Sequence, residues 1–182
     1  MRDQNPEIMT ETTRIDRFQV SVGGLSRAEL RSALTSRGIL LNEHAETLLD
    51  SKVFGGQVAR VITVDESTVA ALGCPDGATL PEIFKLAREQ GLLLCPADAG
   101  PYLRLALNDQ VASADSVMSA GKAPDGAVTI ASELLSDDVQ YPKGFYLRVV
   151  DGQAWLRGYR CDDEYVFSAA DRFVFQAPAP SP

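Results

Sequence analysis

The most reactive side chains in this sequence are three cysteines, Cys74, Cys95 and Cys161, and a single histidine, His44. A thiolate held beside an imidazole would be a nucleophile. Cys95 is the best candidate for it, because Pro96 frees the backbone there from regular bonding. Its upstream neighbours are Leu92, Leu93 and Leu94, and such surroundings predict a buried thiol with a raised pKa. Cys95 is therefore expected to pack rather than react. One histidine excludes zinc sites that need two or three within the chain, and His44 and the cysteines show no paired CxxC or HxxxH spacing.

Carboxylates are plentiful. Asp137-Asp138 and Asp162-Asp163-Glu164 fall between patterned segments, where acidic turns account for them. Asp109, Asp115 and the 162–164 run carry the oxygens a divalent ion needs, but a cage requires convergence that spacing alone does not provide. The sequence has no EF-hand loop, no Walker lysine motif and no dinucleotide-binding glycine fingerprint. No metal and no cofactor are expected.

A basic and aromatic group has more to offer. Tyr102, Arg104, Tyr146, Arg148, Trp155 and Arg157 stand opposite apolar residues in segments that alternate with a period of two. Arg148 placed across from Trp155 would make a cation–π contact. Guanidinium forks gathered on one sheet face would suit a carboxylate, a phosphate or an acidic peptide. These six are the candidate binding residues.

The elements that must position them follow from patterning. Phe18, Val20 and Val22 alternate as a short strand, broken by Gly23-Gly24. Ser26 and Glu29 form a capping box for a helix through about Ser36, with Gly38 at its end. Asn42 caps a second helix whose Ala45, Leu48 and Leu49 face inward. The pair resembles a helix-turn-helix only superficially, since three basic and four acidic residues between Ser21 and Asp50 are wrong for reading DNA. VARVITV predicts a strand, and ESTVAALG fits either a short helix or a continuation of it. Thr79, Pro81 and Glu82 open a third helix that Gly91 stops. YLRLAL at 102–107 alternates like a strand. GFYLRVV-DG-QAWLRGYRC predicts a hairpin on a two-residue turn. In that register Val149 faces Ala154, Leu147 faces Leu156, Phe145 faces Gly158, Arg148 faces Trp155 and Tyr146 faces Arg157. RFVFQ is a final strand with Phe173 and Phe175 together.

The expected fold is α+β: a helical N-terminal half packed with a mainly antiparallel sheet from the C-terminal half. Residues 1–13 are expected to be a flexible lead-in, 14–176 a single compact domain with a subdivision near 90–101 as the alternative, and 177–182 a Pro/Ala tail. Seventeen basic and 25 acidic residues give the 182-residue chain a net charge of −8, which argues against nonspecific nucleic-acid binding. No apolar run is long enough to span a membrane. The first twenty residues lack a signal peptide's apolar core, and the cysteines are odd in number and widely spaced. A soluble cytoplasmic protein is expected. These features point to a non-catalytic binding protein that takes a protein partner or a small anionic ligand on the Arg/aromatic face. The alternatives are a small hydrolase using clustered carboxylates or Cys95, and a structural protein that oligomerises through an unpaired edge at 171–176.

Overall fold

A computed structural model of the chain describes residues 17–107 and 126–181. The first half contributes β1 (Phe18–Val22), α1 (Arg27–Ser36), β2 (Leu40–Leu41), α2 (Glu43–Leu49), β3 (Arg60–Thr68), β4 (Ala78–Thr79) and α3 (Leu80–Glu89). The second contributes α4 (Ala99–Ala106), β5 (Val128–Ile130), β6 (Gly144–Val150), β7 (Gln153–Tyr159), β8 (Val166–Phe167) and β9 (Arg172–Gln176). Seven strands form one sheet in the order β1-β3-β9-β5-β6-β7-β2, and β4 pairs with β8 apart from it. Neighbours in the large sheet are antiparallel except β5 with β9 and β2 with β7, which run parallel.

The α+β class is as expected, and the sheet extends beyond the C-terminal half because β1, β2 and β3 join it. Local signals account for most elements. Ser26 and Glu29 form the capping box of α1. Asn42 Oδ1 accepts from the Ala45 amide at 2.9 Å to cap α2, and Thr79 with Glu82 caps α3. The 145–158 hairpin has the expected register at every pair, with its turn residues Asp151 and Gly152 both at positive φ. Glu66, Ser67 and Thr68 continue β3, whereas residues 69–73 form a turn, so the ambiguous stretch is strand only in its first three residues.

Two expectations fail. Residues 102–107 are not a strand: Tyr102 to Ala106 belong to α4. Every residue from Ala99 to Arg104 is buried, so no exposed face marks the helical period and the alternating leucines imitate a strand. The strand at 172–176 is not an edge either, because β9 lies between β3 and β5. Among the described residues the outer strands of the large sheet are β1 and β2.

The period of two sorts side chains to opposite sides of this sheet. One side carries Val20, Ile62, Val64, Leu147, Leu156 and Val174, which pack in one core with Leu30, Leu34, Leu48, Leu49 and Leu103 of the helices α1, α2 and α4. The other carries Phe173 and Phe175, which pack with Ile83 and Ala87 of α3 and with Phe167 of β8. The final Pro/Ala segment begins anchored, since Ala177 is buried and donates its amide to the Thr63 carbonyl. The expected lead-in at 1–13 lies outside the described residues.

Candidate functional site

The six candidate binding residues divide between the two sides of the sheet. Tyr146 and Arg148 on β6 and Trp155 and Arg157 on β7 share the side that packs α3, paired Tyr146 with Arg157 and Arg148 with Trp155. Tyr102 and Arg104 lie on α4, which packs on the opposite side. Tyr102 joins the core there with Leu103 and Phe145. Arg104 is fully buried. Its Nη2 donates to the Leu107 carbonyl at 2.6 Å, while Nε and Nη1 have no hydrogen-bond partner. Burial pulls this guanidinium below its ordinary pKa. Arg104 is closed to any ligand, and the expected six-residue surface does not form.

The four sheet residues are unequal as well. Arg148 is only 4% exposed, whereas Tyr146, Trp155 and Arg157 are each half-buried. The Arg157 guanidinium carbon lies 5.1 Å from the Trp155 ring centroid and 5.9 Å from that of Tyr146. The cation–π partner of Trp155 is thus Arg157, two residues along its own strand, rather than Arg148 across the ladder. Arg157 Nε is buried without an acceptor, and the side chain makes no hydrogen bond or ion pair to any described residue. A guanidinium fixed by two rings and lacking an acceptor can receive a carboxylate or phosphate oxygen with little reorganisation.

The other candidates are structural where they are described. Cys95 is fully buried, its Sγ 3.7 Å from the Val174 carbonyl, and burial pushes its thiol up to about 12. That is the reverse of an activated nucleophile. Asp162 Oδ1 accepts from the amides of Glu164 and Tyr165 at 3.0 and 2.8 Å, so the acidic run begins as a side-chain-capped turn. Asp138 caps a turn in the same way through the Gln140 amide. Among the described residues no three His, Cys, Asp or Glu side chains are grouped to hold a metal ion. Asp109 and Asp115 lie outside the described residues. No described helix is long and apolar enough to cross a membrane.

Sequence reasoning missed a concave feature elsewhere. A cleft of about 480 Å³ opens between α3, the segment 133–143 and the turn at 163. Four separate stretches of chain build it, so no local motif announces it. Compared with protein-family models, with curated proteins and with solved structures, the chain matches none.

Proposed function

We propose that this protein is a non-catalytic binding protein whose sheet face, centred on Arg157, takes an anionic group. That group is a carboxylate of a protein partner or of a small ligand. The observation that carries the reading is the guanidinium of Arg157 lodged against Trp155 and Tyr146 without an acceptor. The chain's net charge of −8 makes this local cationic spot selective, since a polyanion such as nucleic acid is repelled by the rest of the surface. The three cysteines are free thiols, which supports a cytoplasmic, reducing location.

Trp155 is the only tryptophan in the chain, so its fluorescence reports on this face directly. Titration with an Asp/Glu-rich peptide is expected to change that emission. The same peptide with Asn and Gln in place of its acids is expected to leave it unchanged. Arg157→Ala should weaken the acidic peptide about tenfold or more, in line with ~1.5–3 kcal/mol for a charge-assisted bond. A response to acetate as strong as to the peptide would identify a small-ligand site. Equal responses to the acidic and neutral peptides would refute the proposal.

A further inference from the structure

Leu40, Trp155 and Tyr146 stand outside both hydrophobic cores of the described residues. Leu40 pairs with Trp155 across the parallel β2–β7 ladder, so the two side chains rise on one side of the sheet, about 5 Å apart at the backbone. Arg157, two residues along β7, shares that side. Leu40 is 42% exposed, whereas Leu41 turns the other way and packs on the core with Leu156. An apolar strip thus starts on the outer strand β2, crosses Trp155 and ends at a guanidinium whose Nε lacks an acceptor. A single exposed leucine is ordinary on a protein surface. One that is continuous with a half-buried tryptophan and a cation makes an amphipathic surface.

We propose that the ligand of this face is a small amphipathic monocarboxylate, a carboxylate on an alkyl or aryl body. The proposal rests on the reading of Arg157 as an anion site and names the class of ligand it takes. The carboxylate meets the Arg157 guanidinium, and the body runs back over Trp155 to Leu40. A body of about six carbons suffices, since two residues of strand advance about 7 Å. An acidic side chain of a peptide would bring its own amides over the strip. There the backbone of β7 is already engaged by the ladders to β6 and β2, so those amides would lose water without gaining partners. A hydrocarbon body brings no such groups, and its removal from water strengthens binding with each carbon added. A single charge also suits a protein of net charge −8, which repels ligands carrying several.

Three probes test it on the intact protein: acetate, which lacks the body, hexanoate, and hexanamide, which lacks the charge. Binding is followed by Trp155 fluorescence and by backbone amide shifts in NMR. Hexanoate is expected to shift Leu40, Trp155 and Arg157, and to bind about tenfold or more tightly than either acetate or hexanamide. Leu40→Ser leaves the guanidinium in place and shortens the strip. It should weaken hexanoate about threefold or more while leaving acetate unchanged. Should that variant fail to fold, the three-probe comparison on the unmodified protein decides alone. Hexanoate no tighter than acetate overturns the amphipathic ligand and leaves the Arg157 reading standing. An acidic peptide that binds more tightly than hexanoate does the same. Hexanamide equal to hexanoate overturns both, because no charge is then being recognised. Hexanoate shifts confined to other surfaces, or a folded Leu40→Ser that binds hexanoate as well as the parent, overturn the proposal.

Discussion

A single side chain in this protein is ionised or neutral according to what surrounds it, and the cysteines show this most clearly. Cys95, fully buried among apolar residues, has its thiol raised to about 12, and Cys161 is raised to about 11, in both cases chiefly by burial. Both exceed the 9.0 expected of an unburied thiol, so the folded state keeps a proton that the unfolded state releases. The stability tied to these thiols is complete below pH 9 and is lost as pH rises from about 9 towards 12. The melting temperature should therefore fall steeply above pH 9, and Cys95→Ala should flatten that fall even if it lowers stability at pH 7. A thermal-melt series from pH 7 to 11 on both proteins measures it. Iodoacetamide at pH 8 should leave Cys95 unmodified in the folded protein and modify it in urea; ready native modification would contradict the burial argument. The leucines before Cys95 made this legible in the sequence. The partner of Trp155 was not legible, because the register places Arg148 opposite it correctly while the reach of Arg157 along its own strand depends on a rotamer.

Between elements, small residues and side-chain amides decide how closely layers approach. Asn42 ends β2 and starts α2, and it also stitches both to β7. Its Oδ1 accepts from the Ala45 and Gly158 amides, and its Nδ2 donates to the Gly158 carbonyl at 3.0 Å. The amide thus occupies the place where one more β2 residue would pair with β7. Asn42→Ala removes a helix cap, about 0.5–2 kcal/mol, and strands two Gly158 backbone groups. The combined cost should be ~2–4 kcal/mol by urea unfolding. Asn42→Asp keeps the cap but not the donor, so it should fall between the two. Gly158 itself has no room for a methyl: a Cβ there would lie 2.6 Å from the His44 carbonyl carbon and 2.8 Å from the Ala45 nitrogen. Gly158→Ala must move α2 off the sheet and should cost about 1–3 kcal/mol. Asn42 was readable as a helix cap, but its bonds to Gly158, 116 residues away, have no local signature. Helix α4 shows the opposite failure. Pro101 in its first turn is compatible with a helix start, but the alternation of the following leucines suggests a strand, and complete burial leaves that alternation without meaning.

For the molecule as a whole, one sheet separates two cores, and β9 serves both: Val174 packs on one side, Phe173 and Phe175 on the other. A loss of either core withdraws support from the other through a shared backbone. Unfolding is therefore expected to be one cooperative transition, with equal calorimetric and van't Hoff enthalpies. Two resolved transitions would mean that the regions before and after 90–101 melt independently. A half-buried ion pair ties the sheet to one of these layers, Arg60 of β3 to Asp98 at the start of α4, at 2.6 Å. The α+β class and the hairpin were legible because both rest on local periodicity and a two-residue turn. The strand order was not, since β9 enters between β3 and β5 through contacts distant in sequence.

That insertion has a consequence for how the protein is made. Until Arg172–Gln176 leaves the ribosome, the pairings available to the chain are two partial sheets: β1 with β3, and β5 with β6, β7 and β2. The flanks of β3 and β5 that β9 will fill are open, with unsatisfied amides and carbonyls facing outward. The border on β3 is thus exposed once residues 60–68 have been made and that on β5 once residues 128–130 have been made, and both close only when the five residues of β9 slide between them. A ribosome stalled before Arg172 would display both borders at once, making the interrupted product a natural client for chaperones that shield unpaired strands.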